Sequence, residues 1–177
     1  DPAEGAGYTY THDLGIQEMQ LNIALKDEQI LRLVNVADND EAQIEAALQE
    51  CVDKKCNIVF ATSFGYMDTV EKFAARYPEI HFFHATGYKS NNTNFNNYFG
   101  RIYQPRYLSG LVAGSKTKSN MIGYVAAMGS ENAEVTGGID AFAMGIYAVN
   151  PQAKVYVKVT NSWFDPVKEK EASEQLL

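Results

Sequence analysis

At 177 residues, 46% hydrophobic and 21% charged, the chain has the size and composition of one ordinary globular domain or two small lobes, not of a disordered segment. A chain of this length buries roughly 70% of its unfolded surface and needs no disulfide or metal staple. The formal charge of −7, with no basic cluster larger than Lys54-Lys55, argues against a nucleic-acid partner, and the opening DPAEGAG does not read as a signal peptide.

Taken in order, residues 1–7 hold two glycines and a proline and read as a loop. Tyr8, Tyr10 and His12 then lead from that loop into a helix through about Asp27, with Ile16, Met19 and Ile23 at helical spacing. Residues 29–36, rich in Ile, Leu and Val, read as a strand. Asn39 or Asp40 caps the next helix, on which Ile44, Ala47, Leu48, Cys51 and Val52 form one apolar stripe. Cys51 sits on that stripe as a buried free thiol, and a local Cys51–Cys56 bridge is the alternative in an oxidising compartment. Residues 57–62 are a short apolar strand of the kind covered on both faces. Ser63-Phe64-Gly65 turns into a helix over about 66–76, and residues 80–85 are another buried strand.

The segment 86–97 carries five asparagines and is expected to be a loop, with a weak glycosylation sequon at Asn91-Asn92-Thr93. A helix over 104–116 with Pro105 in its first turn, a strand over 121–127 and a helix over about 132–149 follow. Asn150-Pro151 ends that helix, because the residue before proline resists helical geometry. In VYVKVTNSWFDPVK, Val155, Val157 and Val159 alternate with Tyr156, Lys158 and Thr160, which is a strand. It stops at Asp165-Pro166, a cap followed by a proline suited to the first helical position, and a last helix runs toward Leu177.

Strands separated by helices of this length imply an α/β fold with parallel sheets and right-handed crossovers. The chain opens with a helix that no strand precedes and stops in an amphipathic helix, so it reads as a fragment of a larger protein.

Enzyme signatures are scarce: G-x-G-x-x-G, a Walker loop and G-x-S-x-G are all missing. His81 and His84 lie three apart in a strand and point to opposite faces, which does not suit one metal. No cofactor, metal or catalytic residue is assigned, and the chain is not read as an enzyme. What accumulates instead is a set of aromatic and small residues at strand ends: Tyr8, Tyr10 and His12; Phe64 and Gly65; Thr86 and Gly87; and Trp163, the single tryptophan, with Phe164. In parallel α/β sheets ligands settle beyond the carboxyl ends of the strands. Each of these residues is either packing or ligand contact; their joint placement suggests a binding cleft for a flat, apolar-faced ligand.

The segments IVFATSFGYMDTVEKFAARYPEIHFFHATG, NYFGRIYQPRYLSGLVAG, MIGYVAA and NPQAKVYVKVTNSWFDPVKEKEA resemble the basic membrane protein (BMP) family, ABC-transporter substrate-binding lipoproteins with the type I periplasmic-binding-protein fold of two doubly wound lobes. The resemblance spans nearly the whole chain and implies an extracytoplasmic receptor for a purine base or purine nucleoside. It also implies delivery to ABC permease subunits, with a membrane tie only through a lipid anchor outside this chain. Residue by residue, GYTYTHDLG matches the family's first site loop, with Tyr8 where an aromatic packs on the purine, followed by Thr9. Trp163 matches the aromatic closing the other side, and Phe64-Gly65 and Thr86-Gly87 match loops lining the same inter-lobe cleft. Some members carry aspartate at the position of Thr86; its absence puts ribose recognition there in doubt and favours a free base such as adenine. The resemblance divides the chain into residues 1–118, most of the N-terminal lobe without its first strand, and 119–177, the start of the C-terminal lobe. Two other classes fit the same residues: the ectodomain of a sensor with this fold, and a nucleoside-processing enzyme on a similar sheet.

Overall fold

A computed structural model describes residues 7–177, which divide into two compact units, one extending to Gly100 and the other running from Arg101 to Leu177. The first contains α1 (Gly7–Asn22), α2 (Glu41–Asp53), β1 (Ile58–Ala61), α3 (Met67–Arg76), β2 (His81–Ala85) and β3 (Phe95–Tyr98). The second contains α4 (Tyr103–Lys116), β4 (Met121–Ala126), α5 (Ala133–Val149), β5 (Lys154–Val159) and α6 (Pro166–Glu174). Both sheets are parallel throughout, in the order β1-β2-β3 and β4-β5. The α/β reading therefore holds.

In the first unit α2 starts where the sequence indicates: Asp40 accepts hydrogen bonds from the backbone N–H of Ala42 and Gln43, satisfying donors that the first turn leaves open. Its Ile44 and Leu48 join Val70 and Phe73 of α3, Val59 of β1, Phe82 of β2 and Phe95 of β3 in one core. Phe82 and Phe95, opposite each other in the β2–β3 register, are fully buried. Burying a side chain of this size stabilises by roughly 1.5–3 kcal/mol.

Three expectations are corrected here. Helix α1 begins at Gly7, so Tyr8, Tyr10 and His12 belong to its first turns and not to a loop; it ends at Asn22, ahead of the expected end near Asp27. The remainder of the expected opening loop lies outside the described residues. The segment 29–36 is not a strand: it has no ladder partner among the described residues, and Asn35 interrupts it at φ +60°. Its Ile30, Leu33 and Val36 instead line a groove of about 470 Å³ together with Ile58 of β1 and Ile16 and Met19 of α1. Apolar β-branched composition marks a segment that fits a sheet, but pairing decides whether it becomes a strand.

The asparagine-rich segment, conversely, ends in a strand. The Asn91 carboxamide oxygen accepts from the backbone N–H of Thr93, Asn94 and Phe95 and closes a tight turn. Buried Asn94 donates through its Nδ2 to the carbonyls of Ala74, Tyr77 and Ile80, which carry the chain out of α3 and into β2. These bonds deliver Phe95 into the core as the first residue of β3. Asparagine here satisfies backbone groups that would otherwise be orphaned.

In the second unit α4 and α5 approach closely because their contact is built from glycine. A Cβ on Gly110 would stand 2.1 Å from the Phe142 carbonyl oxygen, and one on Gly145 would stand 2.2 Å from that of Tyr107. Helix α4, grouped with the first lobe in the sequence reading, thus packs on α5, which opens with Asn132 accepting from Val135 N–H. Helix α6 starts at Pro166 with Asp165 accepting from Lys168 N–H, as the Asp-Pro pair indicates, and ends at Glu174.

Candidate functional site

The carboxyl edge of the three-stranded sheet is stitched together by short polar contacts. Ser63, just past β1, donates its hydroxyl to Asp38 at 2.7 Å, and Tyr66 donates its phenol to the Val36 carbonyl at 2.7 Å. A Cβ on Gly65 would lie 2.2 Å from the Asp38 carbonyl oxygen, so the loop after β1 rests directly on the loop before α2. The next loop is tied in by His84 of β2, which is fully buried and has Nε2 2.9 Å from the Ser63 carbonyl oxygen. Beyond β2, Thr86 adopts φ +63° and Gly87 folds back over the imidazole. Desolvation lowers the His84 pKa, against the opposing pull of the Ser63 and Phe64 backbone and the Asp68 carboxylate.

On this unit the Phe64 and Tyr88 rings lie 6.4 Å apart and tilted to one another, with Tyr88 largely exposed. Tyr8 and His12 meet edge to face at 4.5 Å, and His12 reaches Tyr98 at 6.2 Å. Burial lowers the His12 pKa, and burial followed by the neighbouring Tyr8 raises that of Tyr98 to about 12. The structure thus brings Tyr8 together with His12, Phe64 with Gly65, and Thr86 with Gly87. Thr9 is exposed and Tyr10 half-buried on α1.

The second unit holds an open concavity of about 410 Å³ at the carboxyl end of β4 and β5. Trp163 lines it, with Arg106 of α4, Tyr124 of β4, Glu134 of α5 and buried Thr160. The indole is placed by the loop after β5: Thr160 donates its hydroxyl to the Ser162 carbonyl at 3.0 Å, Asn161 turns the chain at φ +53°, and Asp165 starts α6 directly afterwards. Phe164 is not part of this wall, being 80% exposed against 42% for Trp163. Burial pushes the Glu134 carboxyl up, offset in part by the Arg106 charge. The concavity therefore combines an aromatic face, a cation and a carboxyl that is easier than usual to protonate. Such a set fits a planar ligand with polar edges.

Arg106, Tyr124 and Glu134 are absent from the sequence-level site. Glu134 carried a usable signal, since it lies in the first turn of the helix capped by Asn132, the next helix after β4. Arg106 carried none, because its position depends on the glycine contact between α4 and α5.

Among the described residues no group of three or more His, Cys, Asp or Glu side chains could hold a metal ion, and no helix is long and apolar enough to cross a membrane.

The model of the Bmp family, described as ABC transporter substrate-binding protein PnrA-like, matches residues 1–177. A purine-binding protein of Brucella abortus is 37% identical over 99% of this chain and 49% of its own length. A putative ABC transporter glucose-binding protein, TsgA13 of Haloferax volcanii, is 36% identical over 97% of the chain and 42% of its own. The chain thus spans about half the length of these curated relatives. Among solved structures, an ABC transporter solute-binding protein from Conexibacter woesei superposes with a TM-score of 0.56 at 22% identity, covering 78% of this chain and 46% of that one. A transcriptional activator of the comK gene from Bacillus halodurans gives 0.58 at 23%, with the same coverage. At these identities the two structures speak for the fold alone.

Proposed function

Since the chain belongs to the PnrA-like family of ABC-transporter substrate-binding proteins, we propose that it is part of an extracytoplasmic receptor that binds a purine base or nucleoside by aromatic stacking. The observation that carries this reading is the Trp163 indole lining an open concavity beside Arg106 and Glu134. Stacking on an aromatic face is worth on the order of 1–3 kcal/mol per base and tolerates either a base or a nucleoside. Arg106 offers donors to ring nitrogens or carbonyl oxygens, and Glu134 offers an acceptor for an exocyclic amine. The similarity to the purine-binding protein of Brucella abortus supports a purine. Tyr8 is the second stacking aromatic in this reading. Thr9, Tyr10, His12, Phe64, Gly65, Thr86 and Gly87 are the further ligand-facing positions, and Phe164 is retained only as a rim residue. Ligand would act by shifting an open–closed population, and the closed form would be recognised by ABC permease subunits. No catalytic step is required of these residues.

A second reading rests on the Haloferax relative, described as glucose-binding, because an indole face beside charged groups also suits a sugar. Calorimetry of the full-length protein with adenine, adenosine, guanosine, inosine and glucose separates the two. Purine binding, weakened roughly tenfold to a hundredfold by Trp163→Ala, is the expected result. Heat with glucose and none with any purine would overturn the purine assignment.

A further inference from the structure

The buried His84 imidazole is a titratable group at the strand edge for which the proposed binding reaction has no use, and its surroundings are specific. A carbonyl oxygen can only accept, so the 2.9 Å contact to Ser63 O places the proton on Nε2. Nδ1 is then a bare lone pair, fully buried and without a hydrogen-bond partner among the described residues. Against that nitrogen lies Gly87: a Cβ there would be 2.0 Å from Nδ1, 2.2 Å from Cε1 and 3.1 Å from Met67 Sδ. The ring is thus a spacer. One edge holds the loop after β1 by a hydrogen bond, and the other edge bears the loop after β2 by contact.

We infer that His84 is a positioning residue: its neutral Nε2–H imidazole, wedged between the Ser63 carbonyl and Gly87, sets the relative height of the two loops that carry Phe64-Gly65 and Thr86-Gly87. That these loops face ligand rests on the purine-receptor reading; that His84 holds them does not. The wedge works only with the ring neutral. A proton on Nδ1 would have no acceptor and would add bulk where Gly87 already touches, so charging the ring frees the second loop. The carboxylates near the ring are Asp68 on α3, itself paired with Lys89 at 2.9 Å, and Asp38, which reaches the ring only through Ser63. Neither contacts Nδ1, so neither replaces the missing acceptor. Because burial lowers the folded pKa below 6.5, the stabilising effect of the neutral ring is complete above that value and declines as pH falls from 6.5 toward the depressed pKa.

The test uses the full-length protein and three versions of this position: histidine, His84→Gln, whose amide keeps an N–H donor but cannot titrate, and His84→Ala. Ligand-free hydrogen exchange is read at residues 63–66 and 86–88 from pH 7.5 to 5, with purine affinity measured in parallel. His84→Ala is expected to lose protection about tenfold or more in both segments at every pH. Wild type is expected to lose protection progressively as pH falls below 6.5, and His84→Gln to hold its pH 7.5 protection across the range. Purine affinity should follow the same order. Equal protection in all three proteins, or loss confined to one segment, would overturn the inference, as would His84→Gln behaving like His84→Ala. Loops that respond as expected in a protein that binds no purine would refute the purine reading and leave the role of His84 standing.

Discussion

The two units put their strand ends to different uses. In the first, the loops beyond β1 and β2 are tied together by Asp38, Ser63 and His84, with Gly65 set against the Asp38 backbone and Gly87 against the His84 imidazole. In the second, the strand ends stand around an open concavity of about 410 Å³ walled by side chains. An edge tied by part-buried hydrogen bonds and close glycine contacts fixes geometry, because each loop is held against its neighbour. A side-chain-built hollow offers chemistry, because tryptophan, arginine and glutamate can be exchanged without moving the chain. The contrast predicts that substitutions in the first unit act on stability before affinity, and those around Trp163 on affinity before stability.

The largest way to press that contrast is through the core beneath the first edge. Phe82→Ala empties a fully buried site and is expected to cost about 3–5 kcal/mol. Denaturant unfolding followed by hydrogen exchange should place the loss in the first unit, with the Arg101–Leu177 unit keeping its protection. Loss spread evenly over both would mean that they unfold as one. Next in size is Gly145→Ala, whose new Cβ meets the Tyr107 carbonyl oxygen; separating α4 from α5 is expected to cost about 1–3 kcal/mol. Because Arg106 rides on α4, this change should also weaken ligand binding, which makes it the exception that sharpens the rule. Smaller still is Asp40→Ala, which removes the acceptor of two backbone N–H groups at the start of α2 and should lower stability by about 1 kcal/mol without altering affinity. The smallest is an acid effect on α6. Asp165 is held below the usual carboxylate range, first by the Lys168 backbone N–H, so its contribution is complete above pH 3.8 and fades as pH falls through the depressed value. Circular dichroism of Asp165→Asn against wild type between pH 5 and 2 reads it; identical acid profiles would remove the effect.

Much of this was legible from residue pattern. Asp40 and Asp165-Pro166 mark their helix starts because capping chemistry is local, and the apolar stripe of α2 and the runs of β1 and β2 follow from burial alone. The misreadings share a different cause. Residues 29–36 look like a strand, yet strand identity belongs to a pair and not to a segment. Asparagines 91 and 94 look like loop, yet their side chains hold the backbone that leads into β3. At the site, Trp163 and Phe164 are adjacent and chemically alike in sequence. The left-handed turn at Asn161 and the Asp165 cap separate them, and no composition rule foretells which aromatic faces the hollow.

Thr86 is the one β-branched residue among the described non-glycine residues with positive φ. The left-handed region disfavours a side chain branched at Cβ, and the penalty is on the order of 1–2 kcal/mol. Glycine, asparagine and aspartate all tolerate that geometry better, so the backbone at this position would accept them readily. In evolutionary terms position 86 is permissive: a single exchange could introduce a carboxylate or an amide beside Gly87 while relieving strain. In the proposed receptor, ligand preference at this edge could therefore drift without a loss of folding, a route by which one scaffold diversifies among closely related solutes.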